Sequence, residues 1–411
     1  MSDDLREIAD HLADVLSAVT ALPTEVLALE EAAGRTLTEP VFAAVDIPVF
    51  DNSAMDGFAV LFDDVKDASP GTPVALRVIA DLPAGTDLNP PVVSGEAARI
   101  MTGAPVPSAA TAVVPFEDTV GGLADSLDTV TVVRAPRGSG AHIRRRGDDA
   151  VRGAEVIAAG TPLGGLQVGA IAAAGVAQVA VARRPRVAVV STGSELVRAG
   201  APLRRGQIPE SNSILLATLV TDAGGDVVQQ TTIDDIGDGP LRLIEEAEAA
   251  SVDVIVFTGG VSAGAYEVVK NALGEMMTFS KVRMQPGKPQ GFGATPGGTL
   301  LFGLPGNPVS AAVSFEVFVR PALLALQGRS LLARPIITVA AGAGWRTPPG
   351  RAQFLPVTID RSDPAAWVAV PATTGGSHLA GGLGRAEAYA LVDADVTSVN
   401  AGDLVDVMLL S

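Results

Sequence analysis

The sequence predicts a multidomain α/β-plus-β protein: a central α/β domain on a parallel sheet, a small β domain, a discontinuous linking domain and a C-terminal β-barrel. Three observations carry this. Residues 186–327 alternate strand-like and helix-like runs with glycine-rich strand ends, the pattern of a parallel sheet with helices on its faces. Residues 41–140 hold short β-rich runs separated by Pro, Gly and Asp clusters, and the stretch after Ser330 does the same. Residues 140–180 return to helix and strand, which joins them to segment 20–45.

In chain order, residues 2–19 set Leu5, Ile8, Leu12, Val15, Leu16 and Val19 on one helical face behind a possible Ser2 cap. Such a helix packs either on its own body or on another subunit. Segments 1–45 and 141–182 form the expected linking domain around a β domain at 46–140, whose β-rich runs fall at 74–80, 110–115 and 129–134. A strand at 186–190 leads into Ser191-Thr192-Gly193-Ser194-Glu195-Leu196, with Glu195 expected to open a helix. Helices near 213–223 and 240–250 precede strands at 226–233 and 253–258, making 183–328 the α/β domain. Runs at 336–341, 353–359, 367–370, 388–393 and 403–410 make 329–411 the barrel.

Composition narrows the chemistry. A hydrophobic content of 47% with 18% charged residues describes a packed globular chain. A formal charge of −17 argues against nucleic acid, which needs a basic face, and requires a local positive site for any anionic ligand. The chain has no cysteine, so thiolate nucleophiles and Cys-based metal sites are excluded. His11, His142 and His378 stand apart, so a metal would be a hard ion such as Mg²⁺, held by carboxylates and substrate oxygens. The charge-free stretch 161–182 contains Pro162, Gln167 and Gln178 and reads as a buried helix leading into a strand, not a membrane span. The acidic N-terminus lacks a signal-peptide pattern, and the chain reads as soluble and cytoplasmic.

Ligands of parallel α/β sheets sit beyond the carboxyl ends of the strands. Two Gly-Pro segments, Met284-Gln285-Pro286-Gly287-Lys288-Pro289 and Gly303-Leu304-Pro305-Gly306-Asn307-Pro308-Val309-Ser310, follow short apolar runs there. Loops that present backbone N–H groups beside a lysine suit phosphate or another oxyanion. Lys288 carries weight because the chain has four lysines, and Lys270, Lys281 and Lys288 all fall in this region. Segment 281–288 also holds Arg283 and no acid, so it can reverse the field locally. Gly259-Gly260-Val261-Ser262 reads as a cradle, and Glu195 sits where a phosphate-bridging Mg²⁺ needs a carboxylate, or where it merely favours a helix dipole. Asp51-Asn52-Ser53 reads as an Asx turn or as a site, Arg144-Arg145-Arg146-Gly147-Asp148-Asp149 as an ion-pair network or as a site, and Asp234 as part of a plain turn.

The chain resembles the molybdopterin molybdenumtransferases of molybdenum cofactor synthesis, the bacterial MoeA type also found as the E domain of gephyrin. The resemblance runs through Asp51-Asn52-Ser53-Ala54-Met55-Asp56-Gly57, Arg99-Ile100-Met101-Thr102-Gly103-Ala104, the Arg144–Asp149 run, Ser191-Thr192-Gly193, Gly259-Gly260-Val261-Ser262, Pro286-Gly287-Lys288-Pro289 and Leu304-Pro305-Gly306-Asn307-Pro308, in order over nearly the whole chain. It implies a homodimer whose cleft lies between the α/β domain of one subunit and the β domain of the other. It implies that adenylylated molybdopterin and molybdate give molybdenum cofactor and AMP with Mg²⁺, and it suggests contact with the upstream adenylyltransferase. Carried over by motif, Asp56, Asp149, Glu195, Asp234 and Glu267 are the acidic positions, with Asp56, Glu195 and Glu267 as metal ligands and Thr102 beside them. Ser262, Lys288 and Arg351 face molybdate or phosphate; Ser191, Thr192, Gly193, Gly259, Gly260, Pro305, Gly306, Asn307 and Pro308 shape the substrate loops. Many relatives carry an acid at Ser194 and Ala265, a second lysine at Gln285 and hydroxyls at 380–382; Ser377 and His378 stand near the last. A gephyrin-like scaffold without turnover and a molybdopterin adenylyltransferase are the alternatives. The surviving motif acids disfavour the first and the β domains on both sides disfavour the second.

Overall fold

A computed structural model of the chain describes residues 5–122, 127–234, 238–261, 268–373 and 376–410. The central sheet has six strands in the order Asp226–Ile233, Arg186–Thr192, Val254–Thr258, Leu300–Leu304, Pro289–Ala294, Met277–Lys281. The first four are parallel; Pro289–Ala294 runs antiparallel to both of its neighbours, Leu300–Leu304 and Met277–Lys281, so the sheet is mixed rather than wholly parallel. The turn that makes this edge carries Lys288, which a helical crossover would have left elsewhere. Both faces of the Arg186 strand are covered. Val187 and Val189 face one core and Ala188 and Val190 the other, so the strand reads as one apolar run.

The larger core forms around the stretch Pro308–Leu326, which buries Val309, Val313, Phe315, Phe318, Val319, Ala322 and Leu323 against that sheet. A π-helical turn at Phe315–Val319 sits in its middle, directly before Pro321, which has no N–H to donate. Among the described residues this is the one helix long and apolar enough to cross a membrane, and 89% of that window lies inside the protein. The expected helix at 161–182 is Gly165–Ala173, followed by the strand Gln178–Ala182. It is not the buried helix its composition suggests: Ile171 is buried and Leu166 is 86% exposed. With so many small residues, one isoleucine and its neighbours suffice to hold it.

Thr24–Ala28 pairs antiparallel with Gln178–Ala182, and Val41–Phe42 with Glu155–Ile157. Leu29, Leu37 and Val41 therefore share one core with Leu163, Ile171, Val179 and Val181. The β-rich block between them is a six-stranded sheet with separate apolar clusters on its two faces. After Arg334, five strands close on themselves: Ala352–Asp360, Val368–Pro371, Ile336–Ala341, Leu404–Leu409, Ala388–Val392 and back to Ala352–Asp360. Alternate residues such as Val357, Ala369, Ala388, Ala390 and Val407 fill this small barrel.

The N-terminal helix spans Ile8–Ser17, and of the two expectations the structure selects its own body. Its N-cap is Glu7, with no side-chain cap bond; Ser2 lies outside the described residues. Ile8, Leu12 and Val15 join the core, and the His11 ring stands edge-on to Phe318 at 4.7 Å. Burial, helped by Arg6 and opposed by Asp14, lowers the His11 pKa from 6.5 to about 4. The unfolded chain takes up that proton first. Stability from this group is therefore complete above pH 6.5 and is lost as pH falls toward 4. The full loss is on the order of 3 kcal/mol. Denaturant unfolding between pH ~7 and pH ~4.5 should show that slope, and His11→Phe, which keeps the ring packing, should flatten it.

Candidate active site

Three parallel strands end in one row, because Ser191 pairs with Thr258 and Thr258 with Leu304. The loops that leave this row are Gly193–Glu195, Gly259–Val261 and Pro305–Asn307. With the hairpin that carries Lys288 they enclose a cavity of about 850 Å³. The cavity gathers most of the sequence-predicted residues: Ser191, Thr192, Gly193 and Glu195 from the first strand end, Gly259 and Gly260 from the second, Pro305, Gly306, Asn307 and Pro308 from the third, and Lys288 from the hairpin.

The turns are held tightly. Gly193 N–H donates to Ile233 O at 3.2 Å and Gly259 N–H to Leu304 O at 3.0 Å. Gly259 has φ +90°, and a Cβ there would lie 2.7 Å from Thr192 Oγ1 and 2.8 Å from its carbonyl oxygen. Only glycine lets the two turns approach this closely. Beneath them, the Asn212 amide donates to Thr258 Oγ1 at 3.0 Å and to Gly306 O at 2.7 Å, and the Thr258 hydroxyl donates to Pro305 O at 3.2 Å. Gln290, buried, donates to Gly287 O at 2.7 Å and to Ser314 Oγ at 2.6 Å, which ties the Lys288 hairpin to the long helix.

Glu195 does not open a helix. Residues 196–197 pair with 208–209 as a short parallel ladder, and the next helix starts only at Asn212. Gly200, Pro202 and Gly206 in between account for this, since each disfavours continued helix. This excursion brings in two residues that the sequence reading missed, Glu210 and Asn212. Glu210 is 7% exposed; it accepts from Ser191 Oγ at 2.7 Å, from Ser213 N–H at 2.8 Å and from Ser213 Oγ at 2.6 Å. The hydroxyl-rich Ser191 and Ser213 around an isolated acid were the available signal. On the same wall Thr192 Oγ1 and Asn212 Oδ1 are buried oxygens without a hydrogen-bond partner.

The remaining predicted residues stand elsewhere. Asp234 is exposed just beyond Ile233, on the neighbouring strand end, and is not part of the described cavity wall. Arg351 lines an adjacent cavity of about 1020 Å³ with Trp345, Arg346 and Arg385, and donates to Gln285 Oε1 at 2.7 Å; Gln285 lines both cavities. Asp56, Thr102 and Asp149 are exposed and line neither. Thr102 N–H donates to Asp56 Oδ1 at 2.6 Å, and that bond holds the Asp56 carboxyl below the usual carboxylate range. The Arg144–Asp149 run is an ion-pair network: Arg145 reaches Asp51 at 2.6 Å and Arg146 pairs with Asp46. Asp149 N–H donates to Ile47 O at 2.9 Å. Ser262 and Glu267 lie outside the described residues, as does Ala265.

Segment 281–288 is not free of acids in space. Glu7 sits 2.8 Å from Arg283, so the local field rests on Lys288 more than the sequence suggests. From the barrel side, Ser377 Oγ accepts from Asn307 Nδ2 at 3.0 Å and its carbonyl from Val309 N–H at 3.2 Å, which brings Ser377, His378 and Ala380 into the cavity wall.

Gly259→Ala should cost about 1–3 kcal/mol, because it strains φ and collides with Thr192. Gly306→Ala, whose Cβ would meet nothing nearer than 3.5 Å, should be tolerated. Equal denaturant midpoints for the two variants would refute the close approach of the Gly259 turn.

Residues 6–175 match the family description "MoeA N-terminal region (domain I and II)", 188–325 "Probable molybdopterin binding domain" and 338–410 "MoeA C-terminal region (domain IV)". The chain is 42% identical over 412 residues to molybdopterin molybdenumtransferase 2 of Mycobacterium tuberculosis, covering 98% of this chain and 99% of that one. It is 38% identical over 312 residues to molybdopterin molybdenumtransferase of Nostoc sp., covering 74% and 70% of the two chains. The crystal structure of the molybdopterin biosynthesis moeA protein of Pyrococcus horikoshii superposes with a TM-score of 0.85 at 27% identity, over 99% of this chain and 100% of that one. With matches running from residue 6 to residue 410 and a full-length relative at this identity, the chain belongs to the MoeA family of molybdopterin molybdenumtransferases.

Proposed function

We propose that this protein transfers molybdenum from molybdate to adenylylated molybdopterin and releases AMP. The observation that carries the reading is Lys288 on the wall of a cavity that also gathers glycine turns, hydroxyls, the carboxylates of Glu195 and Glu210 and the amino end of the Pro308 helix. Cleaving a phosphoanhydride requires that its negative charge be met by fixed donors and that an oxygen nucleophile stand in line. Lys288 and the loop N–H groups meet the charge. An oxygen of molybdate, or a water next to it, attacks the AMP phosphorus, and the bridging P–O bond to the molybdopterin phosphate breaks. AMP leaves with the attacking oxygen while the molybdopterin phosphate keeps the bridging one. The sulfurs that take up molybdenum belong to the substrate, so a chain without cysteine suffices.

The wall fits a magnesium ion bound jointly with substrate. Among the described residues no three His, Asp or Glu side chains stand together. Mg²⁺ is commonly held by one or two carboxylates and substrate phosphates. Glu210 already accepts three hydrogen bonds, so among the carboxylates of the described cavity wall Glu195 is the available one, with the unpartnered oxygens of Thr192 and Asn212 on the same wall. Bound there, Mg²⁺ would supply neutralisation of substrate phosphate charge.

We further propose that a second copy completes the cavity with Asp56, Thr102 and Asp149, which are exposed and absent from the described wall in their own chain. Beside them Val45, Val49 and Phe50 expose apolar side chains, the kind of surface that marks an interface. This reading places the protein in the cytoplasm, receiving its substrate from an adenylyltransferase.

With adenylylated molybdopterin, molybdate and Mg²⁺ supplied, wild-type protein should release AMP and Lys288→Ala should be slower by ~100-fold. Undiminished release by the variant removes the role of Lys288; no release by wild type favours a non-catalytic scaffold. Sedimentation should give a dimer for wild type and a shift toward monomer for Phe50→Asp, and a monomeric wild type would rule out the shared cavity.

A further inference from the structure

We infer that the N-terminal segment acts as a strap that positions the Lys288 hairpin, with Arg6 as the positioning residue through its main chain. The inference rests on the reading of Lys288 given above. None of the motifs quoted for the resemblance falls before Asp51, yet the path of residues 5–19 meets the site. Arg6 N–H donates to Lys281 O at 2.8 Å, and Arg283 N–H donates to Arg6 O at 2.8 Å, so Arg6 forms a parallel bridge with Val282. Val282 N–H in turn donates to Lys288 O at 2.7 Å. One residue therefore separates the strap from the hydrogen bond that closes the Lys288 hairpin.

Further along, the same segment is gripped by the barrel. Ala352 N–H donates to Arg283 O at 3.0 Å, and Met284 and Gln285 pair with Ala352 and Gln353. The strap thus covers the edge of residues 281–283 and the barrel pairs with the stretch that follows, 283–285, with Met284 N–H donating to Val282 O at 2.8 Å where the two meet. Without Arg6 that edge would lose two of its main-chain partners. Directly after Arg6, Glu7 meets the Arg283 guanidinium. Of the three cations in segment 281–288, Lys288 is the one on the described cavity wall. The strap takes up the charge of Arg283, five residues before Lys288.

The strap is anchored where it must be to set a distance. His11 and Val15 are buried against the Pro308–Leu326 stretch, whose amino end supplies Pro308 and Ser310 to the same cavity. The N-terminal helix therefore references the Lys288 hairpin to the opposite element of the site. A shift of about 1 Å in such a group is enough to lose most of its contribution.

Arg6→Pro removes the donor to Lys281, whereas Arg6→Ala keeps it and deletes only the side-chain contacts to Asp14 and to the Asp10 carbonyl. In amide hydrogen exchange, Arg6→Pro should raise exchange at 282–288 by about five- to ten-fold with the central strand Val254–Thr258 unchanged, and Arg6→Ala should leave both as in wild type. In the AMP-release assay, Arg6→Pro should raise KM for molybdate several-fold more than KM for adenylylated molybdopterin. If Arg6→Pro does not fold, Glu7→Lys is the second variant: it should loosen 282–288 and weaken molybdate, and adding Arg283→Glu should restore both. Unchanged exchange at 282–288 in the folded variant overturns the strap whatever the enzyme does. Raised exchange with unchanged molybdate KM overturns its link to Lys288. A wild type that releases no AMP counts against the proposed reaction and leaves the exchange comparison to decide the strap.

Discussion

The row formed by Ser191, Thr258 and Leu304 is the constraint on which the rest of this molecule depends. Parallel pairing forces three strands to stop at one level, so three loops leave together and cannot avoid facing the same space. The backbone groups at such ends need partners, and the structure supplies them from side chains: Asn212 and Thr258 take the carbonyl oxygens of Gly306 and Pro305, and Glu210 takes Ser191 and Ser213. Buried polar groups held this way are costly to disturb, at about 1–3 kcal/mol for each one left unpaired. That cost keeps the loops in place, and the glycines let them approach without collision.

The second requirement is that the barrel stay fixed against the α/β unit, since Ser377 and Gln353 come from it. The link is Glu316, a carboxylate 5% exposed inside the long helix stretch. Arg334, just before the first barrel strand, donates to its two oxygens at 2.9 and 3.1 Å. Arg320 stands 3.8 Å from the same carboxylate, and burial, with Arg334 adding to it, lowers its pKa to about 10. Burial also pushes the Tyr389 phenol upward. Breaking a buried pair of this kind by removing one partner costs about 3–5 kcal/mol. The pair therefore couples barrel placement to cavity shape, and the same helix stretch that carries Glu316 receives His11 and presents Ser310 to the cavity.

Much of the fold was legible because its signals are local. Continuous apolar runs at 187–190 and 254–257 mark strands buried on both faces, and alternation in the last eighty residues marks a small barrel. The glycine turns were legible for the same reason, because φ restrictions act on single residues. Glu195 was misread since an acid after a strand resembles a helix start, while Gly200, Pro202 and Gly206 deny that helix further along. The antiparallel edge escaped notice because the pairing of 277–281 with 289–294 depends on partners rather than propensity.

What the sequence determined by itself was the set of elements, the sign of the overall charge and the loops able to cradle an anion, all of which follow from residue chemistry over short spans. Only the tertiary structure decided which acids share the cavity, that Glu7 answers Arg283, that Arg351 faces a second cavity beyond Gln285, and that the first helix lies on its own body. These outcomes depend on contacts between residues tens to hundreds of positions apart. Such contacts are selected by packing and hydrogen-bond closure across the whole chain, and no local pattern encodes them.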